Sequence, residues 1–285
     1  MFRHSVCRWC FDAFPLETLC EKAAEIGLHG IDLLHPHEAL IAKSFGLECP
    51  ITAAPEHESG LGCIERAFND PEHHDTLEEI YRELIPAAAE AGIPQVIVFS
   101  GNRCVGSPEE EIHQCAAGLE RLLPLAEEHD ITLVMELLNS KVDHPGYACD
   151  HTEWGVALCN KLDTPRFKLL YDIYHMQVME GDVIATIRSN HQHISHYHTA
   201  GVPGRHEIDE SQELNYPAIV RAIADTGFSG FLTQEFIPTA SDPFASLAEA
   251  VRRCSCSIDG KTGKHNPVPP VAPPHSGNRS PLPPS

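Results

Sequence analysis

The chain has 285 residues, with 41 acidic and 20 basic side chains, a formal charge of −21 at pH 7, and 42% hydrophobic and 21% charged residues. Those fractions are ordinary for a globular protein, and the length suits one large α/β barrel. The charge would repel nucleic-acid phosphates and anionic lipid, no apolar run reaches a membrane span, and no secretory segment precedes the first strand, so a small polar substrate and a cytoplasmic location are expected.

Strand-like apolar runs alternate with helical segments from the N-terminus onward. Residues 3–9 (RHSVCRW) read as a first strand, 15–27 as a helix with Pro15 near its start and Gly27 at its stop, 30–34 as a second strand, and 37–46 as a helix ending at Gly46. Residues 47–54 form a weaker third strand, because Pro50 has no N–H for a ladder. Turn signals mark 57–74 as a loop, overlapping a charged helix from about 71 to 91 that Gly92 closes; His73 and His74 are expected to be solvated. The run QVIVFSG at 95–101 is a strand of a parallel sheet covered on both faces. Ser107-Pro108-Glu109-Glu110 opens the next helix with a cap, a proline and first-turn acids, and that helix is read as continuous over 107–129.

Four further strands follow at 131–137, 166–172, 193–198 and 230–235, with helices near 151–161, 176–190, 216–226 and 243–255. Eight strands and eight helices in alternation, with no Gly-x-Gly-x-x-Gly at the first turn, predict a single-domain (β/α)₈ TIM barrel over 1–256. Residues 257–285 are Pro-rich without apolar period and are expected to be a disordered or polyproline-like tail.

The last four strands each carry a polar residue at or next to their end: Glu136, Asp172, His198 and Glu235, spaced 36, 26 and 37 residues apart. One barrel unit takes roughly 30 residues, so these four stand on consecutive strands, at the C-terminal ends where this fold builds its sites. A single strand-end carboxylate is usually a solvated surface residue, but four in register within apolar runs need a cation to offset their desolvation. Three carboxylates and an imidazole favour Mg²⁺ or Mn²⁺, with Co²⁺ or Fe²⁺ also within the donor chemistry. Such an ion would stabilise the enediolate formed when a proton leaves the carbon beside a carbonyl, with two glutamates to carry that proton. His175, three residues after Asp172, and Arg205, in the Gly- and Pro-shaped loop after His198, are candidate substrate contacts; His206 and Glu207 are weaker ones.

The eleven cysteines suit a reduced compartment. Cys7 and Cys10 form a C-x-x-C with no second such pair, and Cys254 and Cys256 stand near a helix end; all are read as packing residues rather than ligands.

The segments MELLNSKVDHPGY, LLYDIYHMQ, GVPGRHEIDESQELNYPAI and TQEF, with SVCRWC and VIVFSGNR before them, resemble hydroxypyruvate isomerase-like proteins of the xylose-isomerase-like barrel superfamily from residue 3 to about 255. The resemblance implies a divalent metal on Glu136, Asp172, His198 and Glu235, an acid/base pair in Glu136 and Glu235, and substrate contacts in His175 and Arg205. Hydroxypyruvate isomerases typically carry Gln where this chain has His198, whereas His is the usual ligand in ketose 3-epimerases, so isomerisation and 3-epimerisation both stay open. An endonuclease IV-like enzyme is disfavoured by the acidity, and a non-catalytic metal-binding scaffold is the remaining alternative. The expected partner is a small-molecule substrate, with neither nucleic acid nor membrane, and the oligomeric state, a homo-oligomer included, is left open.

Overall fold

The computed structural model describes residues 2–255 apart from 56, 63 and 105. The proposed tail over 257–285 and Cys256 lie outside the described residues.

Eight parallel strands form one sheet: β1 Arg3–Cys7, β2 Gly30–Asp32, β3 Ile51–Ala53, β4 Gln95–Val98, β5 Thr132–Glu136, β6 Phe167–Asp172, β7 Ile194–Thr199 and β8 Phe231–Gln234. Their order is β2-β1-β8-β7-β6-β5-β4-β3, so the sheet wraps round and its two ends meet at β2 and β3. That seam closes by a parallel bridge between Gly30 and Glu48 and by Leu33 N–H donating to Ile51 O at 2.9 Å. Pro50 keeps β3 to three residues, as its missing N–H requires. Gly30 permits the close approach, since a Cβ there would lie 2.8 Å from the Glu48 carbonyl oxygen.

The covering helices are α1 Leu16–Ile26, α2 Pro36–Ser44, α3 His74–Ala91, α4 Pro108–Glu120, α5 Leu123–Glu128, α6 Thr152–Leu162, α7 Ile173–Met179, α8 Val183–Asn190, α9 Tyr216–Asp225 and α10 Pro243–Arg253. The helix expected over 107–129 is two helices, because Pro124 lacks an N–H and its ring conflicts with the carbonyl one turn earlier. The helix expected at 176–190 is also two, broken at Gly181 and Asp182, both with positive φ. Its first part starts at Ile173, directly after β6, because the Asp172 carboxylate caps it by accepting from His175 N–H at 3.0 Å. His74 is not solvated: it is buried, with Nε2 2.9 Å from the Phe68 carbonyl, and His73 is half-buried beside Asp70 and Arg66. Among the described residues no helix is long and apolar enough to cross a membrane.

Candidate metal centre

Strand geometry sets the site. Glu136 and Asp172 are the last residues of β5 and β6, His198 is the penultimate residue of β7, and Glu235 directly follows β8. The register pairs Asp172 with His198, Glu136 with Leu170 two residues before Asp172, and His198 with Thr233 two residues before Glu235, so all four side chains stand on the same face of the strands at the barrel mouth. One donor atom from each of Glu136, Asp172, His198 and Glu235 falls within 4.8 Å of the others, and all four side chains are buried.

His198 faces the carboxylates through Nδ1, which lies 2.9 Å from Glu235 Oε2 and 3.6 Å from Glu136 Oε1. Arg205 reaches the same cluster: its Nη2 donates to Glu235 Oε2 at 2.6 Å and lies 3.6 Å from Asp172 Oδ2. Its guanidinium stands 5.0 Å from the Trp9 ring and 5.5 Å from that of Tyr174. The backbone at Arg205 has φ 60°, a conformation that costs a non-glycine residue about 1–3 kcal/mol. Hydrogen bonds hold it there, from Arg205 N–H to Gly201 O at 3.0 Å and from Ile237 N–H to Arg205 O at 2.6 Å.

His175, from the first turn of α7, is fixed differently. Its Nδ1 accepts from Asn139 N–H at 3.1 Å and lies 2.6 Å from Asn139 Nδ2, so the ring proton belongs on Nε2. Nε2 is 3.7 Å from Asp172 Oδ2 and has no hydrogen-bond partner among the described residues. Burial, reinforced by Arg205, holds this imidazole well below its ordinary range and therefore neutral.

The charges show what the cluster lacks. Burial pushes the Asp172 carboxyl up to about 8, against the pull of Arg205 and with the push of Glu235. Burial also opposes ionisation of Glu235, yet His198 and Arg205 outweigh it and hold that carboxyl well below its usual range. For His198 burial again opposes charge, and the Glu235 carboxylate overcomes it and raises the ring well above the imidazole range. Asp172 Oδ2 is buried with no hydrogen-bond partner among the described residues. An orphaned oxygen between two further carboxylates and an imidazole fits a divalent cation of the oxygen-seeking class.

The chain belongs to the xylose isomerase-like TIM barrel family. The model of that family matches residues 20–254. Among relatives, hydroxypyruvate isomerase of Escherichia coli K12 is 26% identical over 240 residues, covering 80% of this chain and 90% of that protein. A 2-oxo-tetronate isomerase of Pectobacterium atrosepticum is 26% identical over 246 residues, covering 80% and 88%. A crystal structure described as AP endonuclease, family 2, from Brucella melitensis superposes with a TM-score of 0.78 at 23% identity over 88% of this chain and 99% of that one, which speaks to the fold alone.

All six residues singled out in the sequence thus meet at one mouth of this family's barrel, and two weaker candidates do not. Glu207 is a loop clamp, accepting from Thr239 N–H and Oγ1–H at 2.7 Å each and from Ala240 N–H at 2.9 Å. His206 is exposed, with Nδ1 3.1 Å from Ile237 O. Sequence reading missed Trp9, whose Nε1–H donates to Glu235 Oε1 at 2.8 Å. It also missed Asp32, His196 and Thr233, a buried polar layer under the cluster. The signal for His196 was present, since it alternates with His198 along one strand and shares its inward face. Cys7, read only as packing, lies with Sγ 3.9 Å from His198 Nε2.

Proposed function

We propose that the protein is a divalent-metal-dependent isomerase of a small hydroxy-carbonyl or sugar-like compound, with hydroxypyruvate as the first candidate. An isomerase or epimerase of the xylose isomerase-like family is the class its relatives support. The observation that carries the finer reading is the convergence of four buried donors from consecutive strands, with Asp172 Oδ2 unpartnered among the described residues.

Glu136, Asp172, His198 and Glu235 would hold Mg²⁺ or Mn²⁺. When bound, such an ion polarises a carbonyl and lowers the cost of an enediolate. The three carboxylates would then face the ion and Arg205, a balance that tolerates a neutral or singly charged substrate. Each glutamate has two oxygens, so one can face the ion while the other handles a proton. Glu136, whose Oε1 lies 3.6 Å from His198 Nδ1, is the less restrained base for a proton next to a carbonyl. Glu235, ionised and steadied by Trp9 and Arg205, serves the neighbouring carbon or the opposite face. His175 donates its Nε2–H to a substrate oxygen, and Arg205 offers Nε–H, unpartnered among the described residues.

Proton transfer between neighbouring carbons gives isomerisation, and return to the opposite face gives epimerisation. A ketose 3-epimerase is the second reading, favoured by His198, whose Nδ1 rather than a Gln oxygen faces Glu136 and Glu235.

The test is turnover of hydroxypyruvate and of a panel of ketoses and keto-sugars by Mn²⁺-loaded protein in D₂O. Turnover of hydroxypyruvate with deuterium at the carbon next to the carbonyl is expected. Turnover of ketoses alone would replace the first reading with the second. No metal-dependent turnover of any panel member would remove both.

A further inference from the structure

The polar layer beneath the candidate centre has no part in the chemistry above, yet it is wholly buried. It joins four adjacent strands: Ser5 on β1, Asp32 at the end of β2, His196 on β7 and Thr233 on β8, each with no measurable exposure. Thr233 Oγ1 donates to Asp32 Oδ2 at 2.7 Å and lies 2.7 Å from Ser5 Oγ, so Ser5 supplies its proton to Thr233. His196 Nε2 lies 2.6 Å from the same Asp32 oxygen. Strand register fixes the partners, pairing Cys7 with Asp32, Ser5 with Thr233 and His198 with Thr233. Asp32 is therefore held from two sides inside the barrel.

That carboxylate also touches the centre from below. Asp32 Oδ2 lies 3.5 Å from His198 Nε2, on the side of the ring away from Glu136 and Glu235. A ligating imidazole needs a lone pair on the nitrogen that faces the ion, so with Nδ1 in that place the ring proton sits on Nε2. The Nε2 neighbours are the Asp32 carboxylate and the Cys7 thiol at 3.9 Å. Burial keeps Cys7 as a thiol, and a thiol sulfur is a weak acceptor.

We propose that Asp32 is a positioning residue that accepts the Nε2–H of His198 and so fixes the ring with Nδ1 aimed at the carboxylate cluster. The inference rests on that cluster being a metal centre. Removing Asp32 leaves a buried N–H beside the weakly accepting Cys7 thiol, and the ring gains reason to rotate or exchange its nitrogens. Partners of this kind behind a ligating histidine typically set metal affinity by 10–100-fold.

The experiment is Mn²⁺ titration of the metal-free full-length protein by calorimetry, together with crystal structures of the metal-free wild type and of Asp32→Ala. Asp32→Ala should keep one Mn²⁺ per chain with roughly 10–100-fold weaker affinity, and its His198 ring should be turned or displaced. Asp32→Asn keeps one oxygen acceptor and should fall between wild type and Asp32→Ala; it carries the titration and the structure if Asp32→Ala does not fold. A merely structural role would lower the melting temperature and leave Mn²⁺ affinity and ring orientation unchanged, and that result overturns the proposal. Wild-type protein that binds no Mn²⁺ would refute the metal reading instead. In that case an unmoved His198 ring in the variant's metal-free crystals would still overturn the role given to Asp32, and a displaced ring would support it.

Discussion

Arg205→Ala tests the electrostatic account of the centre most directly. The guanidinium is 13% exposed, donates to Glu235 Oε2 at 2.6 Å and lies 3.6 Å from Asp172 Oδ2. Removing one partner of a buried ion pair typically costs about 3–5 kcal/mol, because the remaining charge is left uncompensated. The loss of stacking on Trp9 and Tyr174 adds about 0.5–2 kcal/mol, while relief of the positive φ returns nothing, since Ala is no better suited to it than Arg. For a domain of this size each kcal/mol moves Tm by roughly 2–4 °C, so metal-free Arg205→Ala should melt on the order of 10 °C below wild type. A divalent ion placed among the same carboxylates replaces the lost charge. Saturating Mn²⁺ should therefore raise the variant's Tm more than the wild type's and close most of the gap. Calorimetric or fluorescence melting with and without Mn²⁺ measures both quantities. A metal-free shift under 2 °C, or an equal shift with and without Mn²⁺, would refute the reasoning.

Three further outcomes follow from the geometry. Asp172→Ala and His198→Ala should stay folded by circular dichroism but lose bound Mn²⁺ in elemental analysis, whereas full occupancy in both would dismiss the centre. Glu136→Gln and Glu235→Gln keep an oxygen donor and remove the base, so each should lower turnover by roughly 10²-fold or more; near-wild-type rates without deuterium wash-in would exclude the two-glutamate mechanism. Glu207 is held at about 2 by backbone and hydroxyl donors of Thr239 and Ala240 that outweigh its burial. Its folded value lies below its unfolded one, so the clamp's stability is fully present above about 4.5 and is lost as pH falls toward about 2. Glu207→Gln should flatten that part of a stability-against-pH curve, and an unchanged acid limb would show that the clamp contributes nothing.

The order of strands and helices was legible because it is local: apolar period, caps, and Gly or Pro stops act within a few residues. The same locality misplaced two helices. Pro124 and Gly181 are breakers inside otherwise continuous patterns, and whether a proline is absorbed, as Pro86 is within α3, or ends a helix depends on what packs around it. His74 illustrates the same point, since the Phe68 carbonyl beside its Nε2 helps make its burial tolerable.

For the centre, the sequence by itself determined which strand ends carry donors, because the barrel's repeat places such residues at one mouth wherever the helices lie. Only the tertiary structure decided what surrounds them. Trp9 is 226 residues from Glu235 and meets it because the sheet pairs β1 with β8. Asp32, Ser5, Thr233 and His196 become one buried network only when β7, β8, β1 and β2 are neighbours, and Arg205 enters the cluster only because its loop folds back over β8. Those partners are non-local, and no spacing along the chain encodes the register that joins them. They nonetheless surround His198, whose Nδ1 faces Glu136 and Glu235 while Nε2 faces Asp32, and they enter the charge balance of the cluster.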